Sequence, residues 1–414
     1  MNPIYAALVY LVWFLSTYFV VVFLLFLIRY RKNLFVSPLQ IPGEDLPTVS
    51  IVISAFNEEE HIGKCLSSVR NVSYPQDKLE IVVVNDGSTD GTARAVSPFL
   101  KDKRIRFINN KENKGKATCL NEGIRAAQGT FIACMDADSM VSRDILKKSI
   151  PHFQNPKVGA VTVTVKAKHR GSFLERVIEI EYILGLSLFL KLFSYLHCVY
   201  VTPGPFSIYR ASLLKEINGF DEKSITEDLE IAYRINKAGS TIAACMGTSV
   251  TTVIPHTFQG LYRQRRRWYS GALLTIWKHR TMFFTRKAGF FGIFIPFTYT
   301  LITLGLALFV VSIFMLASRL WKNISYFALT NFNFFEHFHW RELLDPLAIS
   351  AFTILGVSGL LGTLAVLTSG LSATKAGFRK RKTSFIGYFL LFFLYQFFWL
   401  SSFASVLFRR KIKW

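Results

Sequence analysis

The sequence predicts an α/β domain attached to a set of membrane-spanning helices. Between residues 49 and 136, apolar runs rich in β-branched side chains alternate with helical patterns, a spacing typical of a largely parallel, doubly wound sheet. On both sides of the polar region lie uncharged runs of about 20 residues or more, long enough to cross a bilayer. These runs explain how a chain of 414 residues combines 51% hydrophobic content with a net charge of +22.

The predicted membrane helices number about four, and the basic residues beside them indicate their orientation. The apolar runs cover residues 4–28, 297–317, 347–371 and 385–408. Arg29, Arg31 and Lys32 follow the first run, and a basic cluster at 375–382 separates the last two, so both flanks belong to the cytoplasmic side. Four spans would place the C-terminus outside the cell. The basic tail at 409–413 argues against that side, so the number of spans stays open.

The predicted division of the chain has three parts. Residues 1–33 form an N-terminal membrane helix, 34–287 a cytoplasmic domain and 288–414 a C-terminal membrane region. Segments near 172–195 and 258–287 mix apolar with charged side chains, which is typical of helices that lie at a membrane surface. The chain is thus predicted to be a multi-pass plasma-membrane protein whose partners include lipids.

Composition and missing motifs exclude several other classes. Much of the excess positive charge lies beside the apolar runs and no nucleic-acid module occurs, so we expect lipid headgroups rather than nucleic acid as its partner. The five cysteines include no Cys-x-x-Cys pair, which predicts reduced thiols and no structural metal. No dinucleotide or phosphate-loop glycine signature appears, which counts against a dehydrogenase or a P-loop NTPase.

The first predicted strands each end in a polar loop. Residues 49–55 form a buried strand that ends in Phe56-Asn57-Glu58, and Asn57 is predicted to cap the helix that follows. Residues 79–84 form the second strand, which ends in a turn from Asn85 to Gly91. The composition of that turn fits a purely structural role as well as a functional one, because tight turns prefer Asn, Asp, Gly and Ser in any case. A third strand at 105–108 and a helix from about 114 to 127 come next.

A fourth strand, at 130–135, ends in Asp136 and Asp138. Ligands of open α/β sheets gather where strands end, and two carboxylates there suit Mg²⁺ or Mn²⁺ shared with substrate phosphates. The alternative is a solvated turn, or a helix N-cap formed by Asp138 and Ser139. The neighbouring acidic loops favour a nucleotide site, to which Lys116 would add positive charge for the phosphates.

The ordered motifs resemble those of inverting family 2 glycosyltransferases of GT-A fold. The similar stretches are AFNEE, NDGSTDGT, NKGKA and the Asp-x-Asp pair, followed by VTPGPFSIYR, by Thr226-Glu-Asp and by Gln264-Arg-Arg-Arg-Trp268. In that order, and in a membrane protein, they are similar to the motifs of hyaluronan, chitin, cellulose and poly-β-1,6-N-acetylglucosamine synthases. The resemblance covers residues 49–268, more than half of the chain.

The resemblance implies a role for each site residue. It makes Asp228 the base that takes the acceptor proton, with Glu227 beside it as the second catalytic carboxylate. It further implies that Asp138 is the metal ligand and that Trp268 supports the acceptor sugar. The contacts to uracil and ribose would be Glu58, Asp86 and Asp136. The contacts to the diphosphate would be Lys116, Gln264 and Arg267. Two alternatives stay open: Asp228 is an ordinary helix-start acid, or 263–268 is a basic surface helix in which Arg265 and Arg266 serve only the lipid interface.

The implied activity is transfer from a UDP-sugar to a growing β-linked polysaccharide, with export through the chain's own membrane helices. The alternative enzyme adds one sugar to a lipid, as ceramide glucosyltransferases do, since those are similar in the Asp-x-Asp and Gln-x-x-Arg-Trp motifs. A transport or scaffolding protein built on a decayed transferase domain is the least favoured class. The sequence leaves open the sugar, the linkage, the oligomeric state and any accessory subunits.

Overall fold

The computed structural model describes residues 3–36, 38, 41–168, 171–329, 351–374 and 382–408. The predicted basic residues at 375–381 and 409–413 lie outside this described part, as do the first four residues of the predicted span at 347–371.

A mixed sheet of eight strands forms the polar domain. The strands are β1 (Val49–Ala55), β2 (Leu79–Asn85), β3 (Ile105–Asn109), β4 (Phe131–Asp136), β5 (Met140–Val141), β6 (Val158–Lys168), β7 (Ser207–Arg210) and β8 (Thr241–Val253), in the order β3-β2-β1-β4-β7-β6-β8-β5. The first four strands pair in parallel, whereas β7 runs antiparallel to both β4 and β6. The predicted α/β class is therefore confirmed, with a mixed rather than a uniformly parallel sheet.

The helices cover both faces of the sheet and continue into apolar segments. They are α1 (Pro3–Tyr30), α2 (Ile62–Arg70), α3 (Thr92–Val96), α4 (Lys116–Ala126), α5 (Ile145–Ser149), α6 (Phe173–Ile183), α7 (Leu190–Tyr195), α8 (Ala211–Glu216), α9 (Glu227–Lys237), α10 (Phe258–Lys278), α11 (Phe291–Leu329), α12 (Ala351–Ala373) and α13 (Lys382–Leu407). A π-helical turn, Leu184–Phe189, joins α6 to α7.

Strand alternation explains the two layers of the core. Ile51 and Ile53 of β1 belong to the core on one face of the sheet, while Val52 belongs to the core on the other face. This is the period of two that a strand imposes on its side chains, and burial on both faces requires the apolar run seen in the sequence. In the parallel register Ala55 pairs with Asn85 and Ser54 with Asp136, so the carboxyl ends of three strands meet at one edge.

Three helices are long and apolar enough to cross a membrane within the described ranges. They are Tyr5–Asn33, Phe291–Lys322 and Thr383–Leu407, and a shorter apolar helix covers Val357–Ala373. By its internal contacts the chain forms two compact units, one of Met1–Arg29 with Phe297–Gly370 and one of Tyr30–Pro296 with Leu371–Trp414. The predicted boundaries at residues 33 and 287 stay predictions.

The segment predicted as a surface helix near 172–195 packs into the second of these units. Glu175 and Lys191 are both buried, whereas the prediction of a surface helix places charged side chains at a lipid interface. Ser172 and Glu175 form a capping box at the start of α6, and the Lys191 ammonium donates to the Ala244 carbonyl at 2.8 Å. These two charged side chains therefore bond within the protein, because burial obliges them to find internal partners.

Helix α4 lies against the sheet through Gly123. A Cβ atom built there would stand 2.2 Å from Cγ1 of Val52 and 3.3 Å from Cγ2 of Val84. Glycine thus permits a close approach of helix and sheet that no larger residue allows without a shift.

We expect Gly123→Ala to lower the free energy of unfolding by about 1–3 kcal/mol, because the added methyl overpacks a dense core. Gly63→Ala on α2 is the matched control, since its Cβ would find its nearest neighbour at 4.0 Å. Thermal unfolding of both variants in the same detergent, followed by circular dichroism, makes the comparison. Equal midpoints for the two variants would contradict the packing argument.

Candidate active site

Acidic side chains gather where β1 and β4 end. Glu58 follows β1, Asp136 closes β4 and Asp138 lies two residues beyond. Burial and the negative charges of Asp138 and Asp136 raise the pKa of Glu58 to about 7. The three predicted residues therefore share one electrostatic site, as the register of parallel strands requires.

The loops after β1 and β2 bind each other. Asn57 adopts a positive φ of 55° and its side-chain oxygen accepts from the Thr89 amide at 2.9 Å. The Glu59 carboxylate likewise accepts from the Gly91 amide at 2.7 Å. The predicted helix cap at Asn57 is wrong, because α2 begins at Ile62 after His61. The side-chain oxygen of Asn57 instead accepts a hydrogen bond from the loop after β2.

Asp86 holds a third loop in place. It is 3% exposed, and its two carboxylate oxygens accept from the amides of Lys114 and Gly115 at 2.7 and 3.0 Å. Gly115 has a φ of 92°, a left-handed conformation that glycine adopts without strain. Since α4 begins at the next residue, Asp86 fixes the position of Lys116. Its predicted contact with a base stays a prediction.

Lys116 joins the end of β4 to the start of α9. Its ammonium lies 2.6 Å from Oδ1 of Asp136 and 2.9 Å from Oε1 of Glu227. Burial alone would lower the pKa of this lysine, but the charges of Asp136, Glu227 and Asp228 outweigh it and raise the pKa. Gly204 covers the pair so closely that a Cβ there would lie 2.9 Å from the lysine nitrogen.

The carboxylates that open α9 have unequal environments. Burial would raise the pKa of Glu227, which is 3% exposed, but Lys116 and Arg267 lower it. Burial and the negative charge of Glu227 raise the pKa of Asp228 to about 6. The backbone carbonyl of Asp228 accepts from the amide and the hydroxyl of Thr202 at 3.1 and 2.9 Å. The predicted helix start at Thr226 is correct, so the helix N-terminus also favours the ionised forms.

Asp138 is fixed through one of its carboxylate oxygens. The hydroxyls of Ser139 and Thr252 donate to Oδ1 at 2.9 and 3.2 Å. Burial and the charge of Asp136 raise the pKa of Asp138. The alternative of a helix cap at 138–139 is wrong, because the short strand β5 follows and α5 begins only after Asp144.

The donor set at this edge fits a divalent cation. In the ranges that the structure describes, no group of three or more His, Cys, Asp or Glu side chains converges on one point. Carboxylate oxygens are nevertheless hard ligands, and Mg²⁺ is commonly held by one or two of them together with substrate phosphates. Burial first, and the charges of neighbouring acids second, raise the pKa values of Glu58 and Asp138, and a bound cation would offset the second effect.

Helix α10 brings the predicted Gln264, Arg267 and Trp268 towards this edge. Arg267 lowers the pKa of both Glu227 and Asp228, so its charge acts on the carboxylates that open α9. Trp268 is half-buried, with its ring centre 6.5 Å from that of Tyr182. Gly271 allows the helix to approach α9, because a Cβ there would lie 2.3 Å from the Thr226 hydroxyl.

Arg265 is a residue whose role the sequence left open. It is 0% exposed, so the alternative in which it serves only the lipid interface is wrong. Its guanidinium bonds Glu181 and Gln264, both at 2.8 Å, and lies 4.1 Å from the centre of the Trp268 ring. The helical spacing of Leu261, Arg265 and Ala272 on one buried face was the available signal.

Comparison with known proteins shows which families the sequence is similar to. Residues 50–218 match the model of the family described as Glycosyl transferase family 2. The poly-beta-1,6-N-acetyl-D-glucosamine synthase of Staphylococcus epidermidis is 32% identical over 224 residues, which are 54% of each chain. That of Staphylococcus aureus (strain COL) is 30% identical over 261 residues, 62% of this chain and 63% of the relative. The match thus spans between half and two thirds of the curated relatives.

A solved structure supports the fold. The mannosyltransferase PcManGT from Pyrobaculum calidifontis, in complex with GDP-Man and Mn²⁺, superposes with a TM-score of 0.61 over 98% of this chain and 100% of that one. The sequence identity is 18%, so this likeness concerns the fold alone. The polar domain has the GT-A-like fold that the motifs predicted.

We expect Lys116→Met to lower the free energy of unfolding by about 3 kcal/mol, because it leaves the buried Glu227 without its nearest cation. Adding Glu227→Gln to that variant should restore part of the loss. Lys114→Met removes an exposed lysine from the same turn and should change little. Chemical unfolding without nucleotide compares the four proteins, and equal stability of Lys116→Met and Lys114→Met would refute the ion-pair argument.

Proposed function

We propose that this chain, whose residues 50–218 form a glycosyltransferase family 2 domain, transfers sugars from a UDP-sugar to a growing β-linked polysaccharide. The observation that carries the proposal is the pairing of Asp228, a carboxylate with a pKa raised to about 6, with the Lys116–Asp136 ion pair at the strand ends. The curated relatives are named as synthases of an N-acetylglucosamine polymer, so UDP-N-acetylglucosamine is the donor we propose first.

The donor would lie across the strand ends. Glu58 and Asp136 face the position of the uracil and ribose, whose N–H and hydroxyl groups need acceptors. Asp86 supports this side through the loop that it binds. Lys116 and Arg267 supply positive charge for the diphosphate, and the planar arginine fork suits phosphate oxygens. Gln264 adds an amide at the same side.

Asp228 would act as the general base. Its carboxylate takes the proton of the acceptor hydroxyl while that oxygen attacks the anomeric carbon of the donor. The bond from that carbon to the diphosphate oxygen breaks, UDP leaves with the electron pair, and the anomeric centre inverts. Glu227 keeps Lys116 next to Asp136 and, through its negative charge, holds the pKa of Asp228 in a range useful near neutral pH.

Asp138, together with the substrate diphosphate, would hold Mg²⁺ or Mn²⁺. Such an ion neutralises the charge that develops on the leaving diphosphate. The chain's own contribution is to fix Asp138 through Ser139 and Thr252, which leaves its second oxygen for other ligands.

The acceptor would rest against the face of Trp268, near the membrane. The apolar helices support a location at the membrane. The polar domain would lie on the cytoplasmic side, and the polymer would leave through the helices of the same chain. A lipid acceptor that receives a single sugar is the alternative, since the apolar helix α13, which packs against α10, suits either acceptor. Any accessory subunits stay outside the proposal.

The direct experiment measures UDP release and product size together. Purified protein in nanodiscs receives Mg²⁺ or Mn²⁺ and one of several UDP-sugars. We expect a ladder of long products from UDP-N-acetylglucosamine, and a loss of about 10²–10⁴-fold in rate with Asp228→Asn. Glu216→Gln, an exposed acid on α8, is the control and should keep full activity. A lipid product of one fixed mass would favour the alternative, and no UDP release from any donor would refute the proposal.

The rate should also depend on pH through Asp228. The base acts only when ionised, so kcat/KM should fall as the pH drops through about 6, the raised pKa of that carboxylate. Glu227→Gln removes the negative neighbour that raises this pKa, and the acid limb of its residual activity should move to lower pH. If the acid limb of the pH–rate profile has the same midpoint in Glu227→Gln as in the unaltered protein, Asp228 is not the titrating base.

A further inference from the structure

A buried arginine of α10 lies between α6, α13 and the ring of Trp268, the proposed acceptor contact. Arg265 is fully enclosed, and an enclosed cation is tolerated only where charges and acceptors meet it. Its Nη2 donates to Glu181 of α6 at 2.8 Å, and its Nε donates to the Tyr395 hydroxyl of α13 at 3.3 Å. Tyr395 in turn donates to the same Glu181 oxygen at 2.5 Å. The three side chains therefore form a closed set that joins α6, α10 and α13.

The same guanidinium orients both neighbours that the proposed function uses. Its Nη1 donates to the side-chain oxygen of Gln264 at 2.8 Å. Its carbon lies 4.1 Å from the centre of the Trp268 ring, a cation–π distance that favours one ring orientation. With one face of the indole held by the cation, the ring has less freedom to turn.

Tyr182 packs beside this set. Its ring centre lies 6.5 Å from that of Trp268, and burial raises the pKa of its hydroxyl. The indole is therefore bordered by both Arg265 and Tyr182, which limits the orientations open to it.

We propose that Arg265 is a positioning residue, held by Glu181 and Tyr395, that sets Trp268 and Gln264 for the acceptor chain. This inference rests on the proposed function. A loosened Trp268 would grip the acceptor less well while the base and the donor contacts stay intact. The growing chain would then dissociate after fewer additions, whereas the first transfer would remain fast at a high acceptor concentration.

The test compares two hydroxyl deletions on the same face of α13. Tyr395→Phe removes the hydroxyl that meets Arg265 and Glu181. Ser405→Ala removes the hydroxyl that accepts from the adjacent Arg266 at 3.2 Å, and thus loosens the same pair of helices away from Trp268. Both deletions are small, and equal thermal midpoints verify that both proteins are folded.

Activity is measured with UDP-N-acetylglucosamine and N-acetylglucosamine oligosaccharides as acceptors. For Tyr395→Phe we expect the acceptor KM to rise about tenfold and the mean product length to fall, with kcat within about twofold, because a hydrogen bond to a charged set is lost. Ser405→Ala should leave all three unchanged. Arg265→Lys should retain more product length than Arg265→Met, since it keeps the charge but not the fork.

Two results would overturn the inference alone: equal effects of Tyr395→Phe and Ser405→Ala, or a fall in kcat with acceptor KM and product length unchanged. If the unaltered protein adds only one sugar, the acceptor KM still decides between the two deletions. If it releases no UDP from any donor, the proposed function fails and this inference fails with it.

Discussion

A surplus of carboxylates over cations governs the polar edge of the sheet. Burial and neighbouring acids raise the pKa of Glu58 and of Asp228, while Lys116 and Arg267 lower that of Glu227. Like charges brought this close favour protonation or a further cation, and only a surrounding structure that fixes them can keep them together. The closely packed loops after β1 and β2, the amides that bind Asp86 and the glycine that covers Lys116 supply that restraint. The acidic residues at this edge are Glu58, Asp136, Asp138, Glu227 and Asp228.

Around Arg265, in helix α10, the charges are balanced rather than in surplus. There one cation, Arg265, is enclosed with one carboxylate, Glu181, and with aromatic side chains. The two arrangements are linked, because the same helix turn that buries Arg265 brings the charge of Arg267 to bear on the acids that open α9. The stacked rings of Tyr269 and Trp399, 4.1 Å apart, continue the contact of α10 with the apolar helix α13.

Much of the fold followed from the sequence, because strand and helix periods are local properties. The first four strands lie where the β-branched runs predicted them, and parallel pairing carries Glu58 and Asp136 to one edge. The partners of polar side chains could not be predicted in the same way. Asn57 binds a loop 32 residues away, and Arg265 binds Glu181 and Tyr395 at separations of 84 and 130 residues. No local pattern encodes such distant pairs, so a run of arginines resembles a surface helix until tertiary packing encloses one of them.

Arg265, Glu181 and Tyr395 form a polar network in a place that apolar side chains could fill. Replacing a buried ion pair by well-packed hydrophobic residues is often neutral or stabilising, so stability alone does not account for it. A guanidinium offers what an apolar group lacks: directed bonds at fixed angles, here to Glu181, Tyr395 and Gln264, and a planar face for Trp268. Those bonds join α6, α10 and α13 at fixed positions. We infer that the buried charge serves this defined geometry rather than stability.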